Sequence, residues 1–329
     1  ALAISAGGPG AVFWMWMTAL LGMATSFAES SLAQLYKEKD KRGQFRGGPA
    51  WYMARGLGMR WMGVLFSLFL LLAYGLIFNT VQANSVAHAM RYAFSCPEWL
   101  AGLALASIVL LTISFGLKGI ARLMQWLVPI MALLWVAASL FVAALHLDQV
   151  PGVLATIVKS AFGWREVASG ALGYTFSQAL MAGFQRGMFS NEAGMGSTPN
   201  AAAAASSWPP HPAAQGIVQM IGVFTDTIII CSASAMILLL AGPVPHASGT
   251  VGIQLLQQAL VTLTGGWGAG FVSLILILFA FSSIVVNYLY AENNLIFLKL
   301  DSRAAIGTLR LGVILMVVAG SLLSMPLVW

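Results

Sequence analysis

Charge is what this chain has least of. Aspartate, glutamate, lysine and arginine make up 8% of its 329 residues, against roughly 25% in an ordinary soluble domain. That shortage excludes a water-soluble fold. Cysteine is nearly absent as well: Cys96 and Cys231 lie in or beside different apolar stretches, so they form neither a metal-ligand pattern nor a disulfide framework. His88, His146, His211 and His246 are scattered, without the clustered histidines or the glutamate-histidine spacing a membrane metalloenzyme would need. No G-x-x-x-x-G-K-[ST] loop occurs, which argues against a nucleotide-driven pump. No basic face with interleaved aromatics is present, so nucleic acid is not an expected partner. The chain also opens on "ALAISAGGPG", with neither methionine nor the basic start of a signal peptide, and the expectation is that another helix precedes it.

What the chain has in abundance is apolar sequence, 59% of its residues. Stretches near 11–35, 61–90, 99–115, 120–145, 167–185, 214–241, 269–297 and 305–328 mostly reach the roughly 20 residues that cross a bilayer core as helix. About eight spans are therefore expected, in an all-α integral membrane protein. A membrane barrel would instead show alternating segments of about 10 residues. Basic residues set the orientation, because basic loops stay on the cytoplasmic side. Lys37, Lys39, Lys41, Arg42, Arg46, Arg55 and Arg60 share one loop, Lys118 and Arg122 another, and Lys299, Arg303 and Arg310 a third. If each stretch crosses once, these loops share one side, opposite Arg91, Lys159 and Arg165. That side is the cytoplasm, and both ends of the chain come out external. The net charge of +6 is thus a topological signal.

The loop at 34–60 is the only long polar connection and contains a short amphipathic segment near 49–57, with Trp51 and Tyr52 expected at the membrane interface. Pro129 should kink the fourth stretch. Residues 166–208 are too long for one span and too polar for two. Gly183, Gly187, Gly194, Gly196 and Pro199 occupy their middle. The sequence predicts helix, unwound stretch, helix, with Thr198 as cap and Pro199 at the first helical position. Irregular backbone at membrane depth persists only where protein or a water-filled cavity satisfies its amides, and secondary transporters use such breaks to build binding sites. A channel filter is the rival use.

Ionisable groups inside a membrane are functional candidates by default. Glu29 and Glu292 lie near cytoplasmic helix ends, Asp226 lies deeper, and Glu192 is within reach of Arg186 as a structural pair or as a substrate contact. Ser282 and Ser283 are adjacent hydroxyls deep in an apolar helix. Back-bonding to the preceding turn would satisfy them; alternatively, with the Phe279 carbonyl they offer three oxygens to sodium. Asn79 and Gln82 share a helical face, either as interhelical glue or as contacts to a substrate carboxylate or ammonium.

The segments "GGPGAVFWMWMTALLGMATSFAE", "GGPAWYM", "VQANS", "RGMFSNEAGMGS", "GVFTDT" and "FAFSS" together resemble the signature segments of the alanine or glycine:cation symporter family, in particular its bacterial members. The resemblance runs over nearly the whole chain. It implies a leucine-transporter-type bundle of two inverted five-helix repeats with broken first and sixth helices, here a single transporter domain over 1–329. Residue 1 then falls in the outer half of the first helix, the spans become helices two to nine, and the helices after the ninth are not included. On that map 166–208 is the sixth helix and "NEAGM" is scaffold beside the site.

The implied function is sodium-coupled import of a small neutral amino acid by alternating access across the bacterial inner membrane, by a monomeric unit surrounded by lipid. The resemblance assigns Gln82 to substrate and Phe279, Ser282 and Ser283 to sodium; Phe184 and Met188 are expected to line the pocket, Asn79 to join Gln82 from its helical face, and Asn287 to face the substrate where the family often differs. Family members often carry threonine at the place of Ser283, tryptophan at that of Asn287, and an Arg-Tyr pair at Met181-Ala182. A smaller polar residue at 287 opens the pocket to glutamine or serine beside alanine and glycine. Coupling to a proton or another cation is the alternative.

Overall fold

The structure, a computed structural model, describes residues 1–41, 43–163, 172–242 and 252–328. The expectations placed on Arg42, Arg165 and His246, and on the start of the fifth apolar stretch, lie outside the described residues.

Among the described residues the one piece of sheet is a hairpin in which β1 (Glu38–Lys39) pairs antiparallel with β2 (Phe45–Arg46). The rest of the regular structure is helical. In chain order come α1 (Leu2–Gly7), α2 (Gly10–Leu35), α3 (Pro49–Arg55) and α4 (Arg60–Leu72). A π-helical turn, Ala73–Ile77, joins α4 to α5 (Phe78–Phe94), followed by α6 (Glu98–Ile113), α7 (Gly116–Leu145) and α8 (Val150–Ala161). Then come α9 (Leu172–Asn191), α10 (Thr198–Ala204) and α11 (Pro212–Val223), which a second π-helical stretch, Phe224–Cys231, joins to α12 (Ser232–Leu240). The chain closes with α13 (Ile253–Thr264), α14 (Trp267–Phe297), α15 (Arg303–Leu322) and α16 (Met325–Val328).

Six helical runs among the described residues are long and apolar enough to cross a membrane: α2, Arg60–Phe94, α7, Pro212–Leu240, α14 and α15. Two of the eight expected spans fall short. α6 has 16 residues, about 24 Å of helix against a hydrocarbon core of about 30 Å. α9 carries Gln178, Gln185, Arg186, Ser190 and Asn191 along its length, which lowers its hydropathy. The chain is an all-helical, multi-pass membrane protein, and Pro129 lies inside α7 as expected.

The residues fall into two compact units. The first comprises Ala1–Thr25, Ala132–Gly194 and Met220–Ile275, the second Ser26–Met131, Met195–Gln219 and Leu276–Trp329. In the second unit, Val86, Leu105, Val109, Ile113, Ile284, Tyr288, Val313 and Val317 form the largest apolar cluster. The first unit holds smaller clusters, such as Ala3, Ala11, Met15 and Ala182. Small residues bring the helices of the first unit close, because helices in lipid gain by close backbone approach. A Cβ on Gly10 would lie 2.5 Å from the Ala161 amide nitrogen, and one on Gly183 2.5 Å from the Trp14 Cβ.

Three local expectations are corrected. The unwound stretch is confined to 192–197. Gly194 and Gly196 have φ of +82° and +73° and so permit the break, whereas Gly183 and Gly187 sit inside α9, packed against Trp14 and Thr18. The cap of α10 is Ser197, with Thr198 already helical and no side-chain cap hydrogen bond. Trp51 is buried rather than interfacial, since α3 lays its ring 5.0 Å from that of Phe297.

Candidate functional site

The serine pair lies midway along α14. Ser282 Oγ donates to the Phe279 carbonyl at 2.8 Å and lies 3.9 Å from the Met131 sulfur. Phe279 is half-buried, and so is Ser283, which makes no side-chain hydrogen bond among the described residues. The turn therefore presents a free hydroxyl beside a hydroxyl–carbonyl pair. Rotating Ser282 Oγ would release the Phe279 carbonyl and complete three neutral oxygens, the hard donors that sodium takes.

In the same unit, Asn287 Nδ2 donates to Asn79 Oδ1 at 3.1 Å. The two residues, 208 positions apart, are thus brought together. Asn79 is fully buried and its amide donates to the carbonyls of Tyr74 (3.0 Å) and Gly75 (3.1 Å). Those carbonyls belong to the π-helical turn. A π turn shifts the ladder from i→i−4 to i→i−5 and is frequent at functional sites; here the asparagine amide donates to two of its carbonyls. Gln82, on the same helix, is half-buried and makes no side-chain hydrogen bond among the described residues. Its amide remains available to a ligand while that of Asn79 is engaged.

Phe184 and Met188 belong to the first unit, one turn apart on α9. The Phe184 ring tilts against Trp14 at 6.3 Å, while Met188 is exposed. Where α9 ends, Glu192 adopts φ +55° and its amide donates to the Met188 carbonyl. Against this helix end lies the other π-helical stretch. Ser190 Oγ donates to Asp226 Oδ2 at 2.6 Å, Thr227 Oγ1 donates to the same oxygen at 3.1 Å, and Asn191 Nδ2 donates to Thr227 Oγ1 at 3.1 Å. Asp226 is the central residue of Pro212–Leu240, and these hydroxyls and the Asn191 amide form a polar network around its carboxylate.

The second unit holds a further network that sequence reasoning missed. Asn200 Oδ1 accepts from Asn293 Nδ2 (2.7 Å) and Asn294 Nδ2 (2.9 Å), while its own amide donates to the carbonyls of Gly196 and Ser197. Ser67 Oγ donates to Asn294 Oδ1, and Asn293 Nδ2 also reaches the Gly47 carbonyl. Two consecutive asparagines in an apolar helix were the available signal. Glu29 accepts from the Gly196 amide at 3.1 Å. Burial, helped by the Glu29 charge, holds the Tyr52 phenol above its usual range. Gln34 Nε2 donates to the carbonyls of Ala202 and Ala205, and Lys37 Nζ joins it at Ala205 (3.1 Å), so one carbonyl of the last turn of α10 and that of the residue after it are answered. Burial pulls the Lys37 amine below its usual range. Arg46, buried, ties Asp40 (3.2 Å) to Glu292 (3.4 Å), so Glu292, near its helix end, pairs with a cation of the basic loop.

The model of the sodium:alanine symporter family matches residues 1–329. Over its whole length the chain is 64% identical to the transporter YaaJ of Escherichia coli (strain K12), covering 69% of that protein. It is 47% identical to the amino-acid carrier protein AlsT of Bacillus subtilis (strain 168), again over all of this chain and 68% of AlsT. It is 46% identical to the probable sodium/glutamine symporter GlnT of the same organism, over all of this chain and 67% of GlnT.

Proposed function

Because the chain belongs to the sodium:alanine symporter family, we propose that it carries a small neutral amino acid inward across a bacterial plasma membrane, driven by the sodium gradient. Alanine and glycine are the first candidates, with glutamine and serine behind them. The observation that carries the reading is the serine turn of α14, where Ser282 holds the Phe279 carbonyl at 2.8 Å beside the free Ser283 hydroxyl. Sodium binding there exchanges one internal hydrogen bond for three ion–oxygen contacts. Gln82 and Asn287, the latter beside Asn79, are the proposed substrate contacts of the second unit, and Phe184 and Met188 those of the first.

On this reading the fold is the leucine-transporter type, the α9–α10 break is the sixth helix, and alternating access moves the loaded site between the two sides. Sodium and amino acid bind reciprocally, each raising the affinity of the other by a coupling of about 1–3 kcal/mol. The kinship with a probable sodium/glutamine symporter supports a pocket wider than alanine requires. A second coupling ion, the proton, draws support from one feature: a carboxylate, Asp226, held by two hydroxyl donors at the centre of its span.

The test is equilibrium binding of labelled alanine to the purified protein in sodium chloride and in choline chloride, with glycine, serine and glutamine as competitors. The proposal expects binding only in sodium, and loss of that requirement's saturation in Ser283→Ala. Equal binding in both salts removes the sodium role.

A further inference from the structure

A cationic cavity lies beside the ends of two membrane-length helical runs in the second unit. Arg60 is the first residue of the run Arg60–Phe94, and α14 ends at Phe297, two residues before Lys299. Between these ends, in the second unit, opens a cavity of about 410 Å³ lined by Lys39, Arg46, Arg55, Arg60 and Lys299 against only two carboxylates, Glu38 and Asp40.

Both carboxylates are already engaged. Asp40 accepts from the buried Arg46 at 3.2 Å, and Glu38 from Arg55 at 2.9 Å. Arg60 stands over the Phe297 ring at 5.6 Å and Lys39 over the Phe45 ring at 5.4 Å. Neither of these, nor Lys299, has a carboxylate within 4.0 Å among the described residues, and all three are exposed. Lys299 is held at φ +63° just after α14, a C-terminal position at which glycine is the usual residue.

An exposed apolar stripe begins at the next residue. Trp61, Leu65, Leu68 and Leu72 are 45–65% exposed and recur at helical spacing along α4, with Leu57 and Met59 exposed just before it. The cavity thus has a cationic mouth at headgroup level and an acyl-length greasy wall leading away from it. The side is the one on which the basic loops gather, and basic pockets between helix ends on the cytoplasmic side are where anionic headgroups dock.

We propose that this cavity binds an anionic diacyl phospholipid of the inner leaflet, its phosphate held by Arg60, Lys299 and Lys39 and one acyl chain laid along Trp61, Leu65, Leu68 and Leu72. A small free anion would use the cations and ignore the stripe; a zwitterionic lipid would use the stripe and bring no net charge to the cations.

The experiment is native mass spectrometry of the purified protein titrated with phosphatidylglycerol, phosphatidylcholine and glycerol 3-phosphate. Phosphatidylglycerol is expected to bind at least tenfold more tightly than either of the others. Arg60→Gln/Lys299→Gln should weaken it at least fivefold, whereas Lys118→Gln/Arg122→Gln, which removes the same charge from another loop on that side, should leave it within twofold. Lys39→Gln, on the exposed hairpin, should weaken it twofold or more and serves if the double variant does not fold. Equal binding of phosphatidylcholine, equal binding of glycerol 3-phosphate, or equal loss in the Lys118/Arg122 variant would each overturn the proposal.

Discussion

Asn79→Ala separates two roles that the same residue could play. In the structure its amide is spent on the π-helical carbonyls of Tyr74 and Gly75, and its oxygen on Asn287. Removing it deletes three side-chain hydrogen bonds at a position with no exposure to solvent, at about 0.5–1.5 kcal/mol for each. For the three together the expected cost is about 2–4 kcal/mol. Asn287→Ala removes a single interhelical bond, for which cycles in membranes average about 0.6 kcal/mol. The expected ratio is therefore threefold or more. Asn79→Asp, which keeps the shape and loses the donors, should cost at least as much as Asn79→Ala. Reversible unfolding of the micellar protein by dodecyl sulfate measures all three. An Asn79→Ala protein within about 0.5 kcal/mol of the parent that binds alanine tenfold more weakly would refute the reasoning, making Asn79 a ligand rather than a brace for the π turn.

Ser283→Ala should raise the sodium concentration for half-maximal uptake about tenfold, a change of about 1.4 kcal/mol, without altering the melting temperature. Ser107→Ala, whose hydroxyl only back-bonds to Leu103, should change neither. Arg46→Met should cost about 3–5 kcal/mol, because it takes the buried cation away from two carboxylates at most 13% exposed, while Arg55→Met, whose pair with Glu38 is about half exposed, should cost under about 1 kcal/mol; the same unfolding titration reads both. Gly320→Ala would place a Cβ 2.5 Å from the Thr80 Cα and should cost about 1–3 kcal/mol by overpacking, against no loss for Gly307→Ala, which meets nothing within 4 Å. Lys37 adds a pH signature. Its folded pKa lies below the usual value, so between the two the unfolded chain binds more protons and stability rises with pH. Lys37→Met should flatten that alkaline rise in a melting-temperature series.

The long spans are readable because lipid demands both length and apolarity, and α2, α7, α14 and α15 supply both without interruption. The break between α9 and α10 is legible as a place but not in its limits. A glycine in a sequence says only that a Cβ is absent. Gly194 and Gly196 need that absence for positive φ, Gly183 and Gly187 for contact with α2, and composition does not distinguish the two needs. The π-helical stretches at Ala73–Ile77 and Phe224–Cys231 carry no local signature, since the side chains that accommodate them lie on other helices or in the following turn. The Asn200 hub was hidden for a related reason: its partners stand 93 and 94 positions away. Asp226 was legible because a carboxylate at mid-span is costly enough to need an explanation.

The central proposal, that transport of a neutral amino acid is coupled to sodium, is tested most directly in proteoliposomes preloaded with potassium and given labelled alanine under an inward sodium gradient. The account predicts accumulation above equilibrium that collapses when the sodium gradient is removed and falls sharply in Ser283→Ala. Accumulation that ignores sodium and follows an imposed proton gradient instead would contradict it, and would move the coupling ion from Ser282 and Ser283 to Asp226.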